Sequence, residues 1–577
     1  MKTRLSKQAA VRPFANDRVD VRAQGKASAA RRLRRKSWPL RHAALLSVMA
    51  VVVLLAVIRL RVADVPLERD EGEYAYSGQL ILQGIPPYQL AYNMKFPGTY
   101  YAYSVILAVF GQTPYGIHAG LLLVNAATVV MLFFLARRLL ADWMGAAVSA
   151  VAFGVLSVDR WIMGTFAHAT HFVVLAAIAG FLVLFCAQDS KKPVVFAAAG
   201  ALLGLSVLMK QNGIFFLGIG IVAAAWTEVW SAPRNFRAAS LRAGLVAGGA
   251  AVPFTILCGV FFVRGVFGKF WFWTFQYAKE YVSRISLSQA WNLFALGITT
   301  VTRANKLLWL VAAAGVVMLW IVRWSRRTRI LLTVFLITSI VSVCPGFYFR
   351  EHYFILLVPA AGLFCGVAVV SIHRLLKQII PGTAARAVAA GVFAVAVGVY
   401  VANEWEYLFS MPPNELSRAR YGSNPFVEAP EIARYIQAHT DREERIAVLG
   451  SEPEIYFYAN RKSATGYIYT YALMEQQKYS PRMQDEMIDQ VTAAHPKYVI
   501  FVTVPTSWLP QNPKEKILTW SEAYINQCYS MVGAAEILSE NQVRWLWDAE
   551  IAGYKPQSPY AVYTFKRKSD APCAVTG

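Results

Sequence analysis

Eleven apolar runs constrain this chain more than anything else in it. Each is about as long as a hydrocarbon core of roughly 30 Å requires of a helix. They cover residues 43–61, 116–135, 144–158, 170–187, 194–209, 213–230, 243–263, 307–322, 330–345, 354–372 and 386–402. Hydrophobic residues make up 56% of the 577 positions and the mean hydropathy is +0.40, too apolar for a soluble chain of this length. The expected fold is a polytopic α-helical membrane protein with about eleven transmembrane helices.

Lys and Arg in the short loops set the expected orientation. Starting from the basic N-terminal tail (Arg31, Arg32, Arg34, Arg35, Lys36, Arg41), every second loop is basic. These loops hold Arg137 and Arg138; Lys191 and Lys192; Arg234, Arg237 and Arg242; Arg323 to Arg329; and Arg374 with Lys377. They are expected to face the cytoplasm, which places the loop 62–115 and everything after residue 402 outside. The segment from Arg264 to Lys306 fits less well, carrying six basic residues on the outer side. The net charge of +23 is spread over loops that the topology rule already fills with cations, so no nucleic-acid partner is expected. The tail 1–42 is too long for a signal-peptide n-region and no small-residue cleavage site follows the first run, which reads as a retained anchor in the cytoplasmic (inner) membrane.

Beyond Asn403 the composition becomes that of a soluble domain, entered through Pro412, Pro413, Pro425 and Pro430. Helical stretches at 428–439, 453–460 and 475–494 alternate with strand-like Arg445–Gly450 and Tyr498–Thr503. That alternation predicts a C-terminal extracytoplasmic α/β domain with an at least partly parallel sheet. Leu449-Gly450-Ser451-Glu452 is followed by Pro453, so no Gly-rich phosphate fingerprint is present. Cys186, Cys258, Cys344 and Cys365 read as apolar fillers within spans, whereas Cys528 and Cys573 fall outside, where a disulfide is permitted.

The first external loop holds the chemistry-bearing residues. Arg69-Asp70-Glu71-Gly72-Glu73-Tyr74 opens an amphipathic stretch to Gln83, with Tyr74, Leu80 and Ile81 available to the bilayer surface. Two readings of Asp70 stand: an acidic capping box with Glu73, or a catalytic carboxylate with Glu71 beside it. Lys95 follows among Tyr88, Tyr92, Tyr100, Tyr101 and Tyr103, with Pro97 stiffening the turn that presents it. Aromatic belts account for the tyrosines; a phosphate would account for the lysine. Lys210, in Met209-Lys-Gln-Asn-Gly213, is either a tight external turn or a phosphate contact. Glu452, Glu454, Tyr456 and Tyr458 are open to a glycan or to ordinary helix folding.

The order of tail, one span, an outer loop with Asp-Glu, a Lys-x-Pro some two dozen residues on, many spans and a soluble tail resembles the C-type glycosyltransferases. Among them it is most similar to bacterial relatives of the protein O-mannosyltransferases and the aminoarabinose lipid A transferase. The resemblance covers about Arg41 to Val401 and implies a GT-C-like fold. It also implies inverting transfer of a sugar from a polyprenyl-phosphate carrier to an extracytoplasmic lipid, glycan or protein hydroxyl. On it, Asp70 matches the acceptor-activating carboxylate with Glu71 its partner, and Lys95 the lysine that contacts phosphate. Tyr348-Phe-Arg350-Glu-His352-Tyr-Phe354, closing with Pro359, is similar to the motif opening a late span, which implies that Arg350 and His352 face the outer cavity as donor-phosphate contacts; Arg350 is equally open to being a snorkelling interfacial cation.

The sequence departs from that pattern where a second acid often stands. Here it reads Phe166-Ala-His168-Ala-Thr-His171-Phe172, with Asp159 the nearest carboxylate. His168 and His171 share a helix face and are open to binding a divalent metal or to backbone bonding. A lipid-linked-sugar transporter or flippase is the alternative function, though the repeat symmetry expected of one is not visible.

Overall fold

The computed structural model describes residues 40–230, 233–510, 515–569 and 573. The basic tail lies outside them, apart from its last residues. Each apolar run is a helix: Leu40–Arg61, Pro114–Leu140, Trp143–Leu156, Ala169–Ser190, Pro193–Met209, Ile214–Trp230, Phe236–Val263, Lys306–Ile321, Arg326–Val343, Val358–Leu376 and Gly382–Asn403. Among the described residues seven helices are long and apolar enough to cross a membrane, or eight if Leu287–Val301 and Lys306–Ile321, bent by 113°, form one span. The run 144–158 is a 14-residue helix, about 21 Å long at 1.5 Å per residue. That is short of a full crossing, and most of its residues are packed inside the protein.

Two segments that link apolar helices are more structured than the sequence suggested. The region 264–306 contains the helix Phe267–Trp271, a π-helical turn Phe272–Tyr277, and Leu287–Val301, which opens on a Ser286/Gln289 capping box. The loop 62–115 is built from two helices, Arg69–Leu82 and Gly98–Phe110. The first is capped by Glu68, whose side chain accepts the Glu71 amide while Glu71 reaches back to the Glu68 amide. The box is therefore one register earlier than the Asp70/Glu73 pair, and both of those side chains are free of capping duty. Tyr74 and Leu80 do not lie on the bilayer either. Both are buried, with Tyr74 against Tyr100 and Tyr103 at centroid distances of 6.0 and 5.4 Å.

The C-terminal domain carries one six-stranded sheet: β1 (Arg445–Leu449), β2 (Lys462–Ser463), β3 (Tyr498–Val502), β4 (Tyr529–Ser539), β5 (Gln542–Trp547) and β6 (Ala561–Arg567). Its order is β2-β1-β3-β6-β4-β5. The β2-β1-β3 half is parallel and the remainder antiparallel. Cys528 and Cys573 are bonded, tying the chain after β6 back to the start of β4.

This domain sits directly on the helix Arg69–Leu82. Tyr76 stacks on Tyr456 at 5.2 Å, its hydroxyl accepts the Ser463 amide, and the Tyr458 hydroxyl accepts the Leu67 amide. Glu452, Glu454 and Tyr456 are fully buried in that contact, which leaves them closed to any glycan. Arg69 donates to Glu452 at 2.8 Å. The helix approaches so closely at Gly72 that a Cβ there would stand 2.6 Å from the Glu454 backbone nitrogen. Gly72→Ala is therefore expected to cost about 1–3 kcal/mol by overpacking. Its measurable sign is a lowered thermal midpoint in detergent and faster protease cleavage between residues 403 and 445.

Candidate active site

Asp70 and Glu73 lie one helical turn apart, so both face away from the capping side toward Lys95. The Lys95 ammonium donates to Asp70 Oδ1 at 2.8 Å and to Glu73 Oε2 at 2.6 Å, and lies 4.6 Å from the Tyr74 ring centroid. Tyr100 donates to the other Glu73 oxygen. From the C-terminal domain, the Tyr469 hydroxyl donates to Asp70 Oδ1 at 2.9 Å. Asp70 keeps 23% of its side chain exposed, whereas Glu73 keeps 1%. The difference separates their electrostatics. Burial would raise the Asp70 carboxyl, but Lys95, His352 and His168 outweigh it and hold Asp70 well below the usual carboxylate range. Burial prevails at Glu73 and raises it despite Lys95.

The loop bearing Lys95 is fixed by the break between two apolar helices. Pro193–Met209 ends at Lys210, and a 3-10 turn Gln211–Gly213 leads into the next helix. Gln211 donates to the Met94 carbonyl and Thr99 to the Met209 carbonyl. Gly98 meets the Leu208 backbone so closely that a Cβ would stand 2.5 Å from it. Lys210 thereby shares the site: its ammonium lies 4.0 Å over the Tyr353 ring. Burial lowers its pKa to about 7, offset by the Asp70 charge and reinforced by Lys95 and Arg350.

The third wall is the segment before Val358–Leu376. Gly346, Phe347 and Phe349 have φ of +76°, +57° and +45°. The left-handed backbone at the two phenylalanines is strained, and such strain persists only where surrounding packing enforces it. It turns Arg350 outward, exposed and 5.9 Å from the Tyr348 ring, and His352 inward. His352 Nε2 stands 3.9 Å from Asp70 Oδ2 and His168 Nδ1 3.8 Å from the same oxygen. The two imidazoles stack at 4.3 Å with an interplanar angle of 14°. Burial pushes His168 down to about 4 and His352 well below the ordinary histidine range.

Asp70, Lys95, Lys210, His168 and His352 are thus brought together, with Arg350 at the rim. Three predicted residues are not part of the cluster. Glu71 is fully buried on the opposite side of its helix, accepting from His118 at 3.0 Å and from the Ala167 amide, so it braces the loop. Asp159 caps the turn Arg160–Ile162 and accepts from Asn305 at 2.7 Å; burial raises it to about 7. His171 is buried one turn into its helix and lies outside the set formed by Asp70, His168 and His352. Glu73, Tyr100, Tyr353 and Tyr469 join the site without having been singled out for it. For Glu73 the signal was its three-residue spacing from Asp70; for Tyr469, 399 residues away, there was none.

The bundle of apolar helices with its C-terminal α/β domain is a GT-C-like fold, that of the C-type glycosyltransferases. Two solved structures show it: ArnT from Cupriavidus metallidurans bound to undecaprenyl phosphate, and ArnT from the same organism in the apo state. The first matches with a TM-score of 0.57 and 16% identity over 92% of this chain and 99% of that one. The second matches with a TM-score of 0.53 and 16% identity over 90% and 97%. The chain matches no protein-family model and shows no significant similarity to any curated protein.

Proposed function

We propose that this chain is an inverting glycosyltransferase that moves a sugar from a polyprenyl-phosphate carrier to an acceptor hydroxyl on the outer side of the cytoplasmic membrane. The observation that carries the reading is the part-exposed Asp70, held as an anion by Lys95 with Lys210 nearby. The match to a fold solved with undecaprenyl phosphate bound supports the type of carrier. In this reading the N-terminus is cytoplasmic, residues 43–402 form the transferase domain, and residues 403–577 form the extracytoplasmic domain that covers it.

An acceptor hydroxyl needs a base as it attacks the anomeric carbon, and Asp70 takes that proton. The new bond forms on the face opposite the carrier, and the old carbon–oxygen bond breaks with its electron pair leaving on phosphate. Phosphate leaves without a proton donor, so cations suffice to stabilise it. Lys95, Lys210 and Arg350 supply them. A bound donor phosphate draws Lys95 away from Asp70, and a carboxylate that loses its cation becomes a stronger base. Glu71 serves this site only by holding the loop.

The test offers radiolabelled polyprenyl-linked sugars and membrane extracts to the detergent-purified chain, with Asp70→Asn and Lys95→Ala alongside. Full transfer by both variants ends the assignment, and lipid movement across vesicles with the donor intact puts a transporter in its place. A pH dependence follows from Lys210. Its pKa near 7 leaves it cationic below that value and neutral above, so affinity for a phosphodiester donor is expected to fall as pH rises past 7. Lys210→Arg should flatten the profile in a binding titration.

A further inference from the structure

We propose that the cavity between the segment 267–277 and the helix Ser480–Ala494 binds a sugar unit carrying an acidic group, phosphate or carboxylate, as part of an acceptor glycan; that the sugar belongs to the acceptor rests on the transferase reading above. The cavity holds about 250 Å³ and lies outside the Asp70 cluster. Pockets for drug-sized ligands run to roughly 300–1,000 Å³, so this one suits a single ring with its substituents.

Three parts of the chain build its walls. Tyr92 comes from the first loop, Phe272 and Trp273 from the π-helical turn, and Tyr467 and Tyr479 from the C-terminal domain. Single π-helical turns recur at functional sites, and this one brings two sequence neighbours, Phe272 and Trp273, to one cavity. Tyr92 and Trp273 stack at 5.7 Å, and Tyr467 meets them edge-on at 5.2 and 5.8 Å. Phe272 and Tyr479 pack edge to face at 5.0 Å and are both part-exposed. Aromatic walls take the C–H face of a sugar ring, whose hydroxyls then need polar groups at the rim.

Those polar groups carry surplus positive charge. Lys269 and Arg482 stand against one carboxylate, Glu486. Glu486 accepts from the Tyr467 hydroxyl at 2.9 Å and from Gln490 at 3.0 Å, while Lys269 lies 3.9 Å away, beyond hydrogen-bonding reach. The Lys269 ammonium donates to the Tyr92 hydroxyl, which leaves it two further protons to give. Arg482 is exposed and has no ion-pair partner among the described residues. A guanidinium fork beside an ammonium matches phosphate or carboxylate, and a neutral sugar would leave both charges unmet.

Short stretches of chain join this cavity to the Asp70 cluster. Tyr467 lies two residues before Tyr469, which donates to Asp70, and Tyr92 lies three before Lys95. Such stretches span at most about 7 and 11 Å. A glycan seated by its acidic unit therefore extends its neighbouring unit toward Asp70.

Saturation-transfer NMR on the full chain in a sugar-free detergent tests this, with glucose 6-phosphate and glucuronic acid as probes and glucose as the neutral sugar. Both acidic sugars are expected to bind with a Kd of about 1 mM or lower, at least about tenfold tighter than glucose. Arg482→Gln, at an exposed position, should weaken them by about 10- to 100-fold, the loss of one charge-assisted hydrogen bond. Phe272→Ala should weaken them by about 2- to 10-fold. No binding by the wild type overturns the proposal, and so does binding that both variants leave undiminished, which would put the probes on Lys95 and Lys210. Displacement of glucose 6-phosphate by an equal concentration of glycerol 1-phosphate or inorganic phosphate also overturns it, in favour of a lipid headgroup or a bare anion. Acidic sugars bound as expected with no polyprenyl-linked donor consumed leave the sugar site standing without the transferase reading; transfer by a chain that binds neither acidic sugar does the reverse.

Discussion

Asp70→Asn is expected to slow sugar transfer by about 10²–10⁴-fold, the usual contribution of a positioned general base, while the protein stays folded. The amide keeps the shape of the carboxylate and still accepts from Lys95 and Tyr469 through its oxygen, which both contact at Oδ1. Donor affinity should therefore change far less than turnover. Initial rates across donor concentrations distinguish the two effects. A rate within tenfold of wild type would show that another group takes the acceptor proton, and Glu73 would be the first to examine because it shares the same lysine.

Lys95→Ala is expected to act on both stability and turnover. Removing the ammonium leaves Asp70 and the nearly inaccessible Glu73 facing each other with no shared cation. Stripping one partner from a largely buried ion cluster costs about 3–5 kcal/mol, and the loss should appear as a lower melting midpoint in detergent. Glu73→Gln in the same chain removes the stranded carboxylate and should restore most of that midpoint. It should not restore transfer, because the cation proposed to meet the donor phosphate is still missing. If the double variant regained activity as well, Lys95 would be a structural counter-ion only.

Much of this organisation was legible in the residues, and what was not has physical causes. Apolar runs declare membrane helices because the hydrocarbon core imposes both a length and a composition. The edges were less legible: periodicity did not reveal that Trp143–Leu156 is too short to cross, nor that 287–301 is a helix bent sharply into the next. In the C-terminal domain the apolar strands β1 and β3 stood out. Strands β4 to β6 did not, because antiparallel strands with a half-exposed face carry a weaker apolar signal.

At the site, Asp70 and Lys95 were singled out as charges in one aromatic-rich loop, and the fold does pair them at 2.8 Å. Adjacent carboxylates in sequence proved misleading: Asp70 and Glu71 point to different sides of a helix, and the side chain that shares a cation with Asp70 is Glu73, one turn on. His168 and His171 were paired by spacing, whereas the fold pairs His168 with His352 across two helix ends. Contacts of that kind are set by tertiary packing and leave no local trace.

On the proposed function, the hydroxyl that Tyr469 sends to Asp70 makes the C-terminal domain a part of the reaction chamber itself. Severing the chain near residue 402 would therefore leave the proposed base bared to water and short of one of its two donors. Exchanging the domain between relatives would carry a piece of the chemistry along with it. The boundary between anchor and lid, so plain in composition, does not divide the working unit.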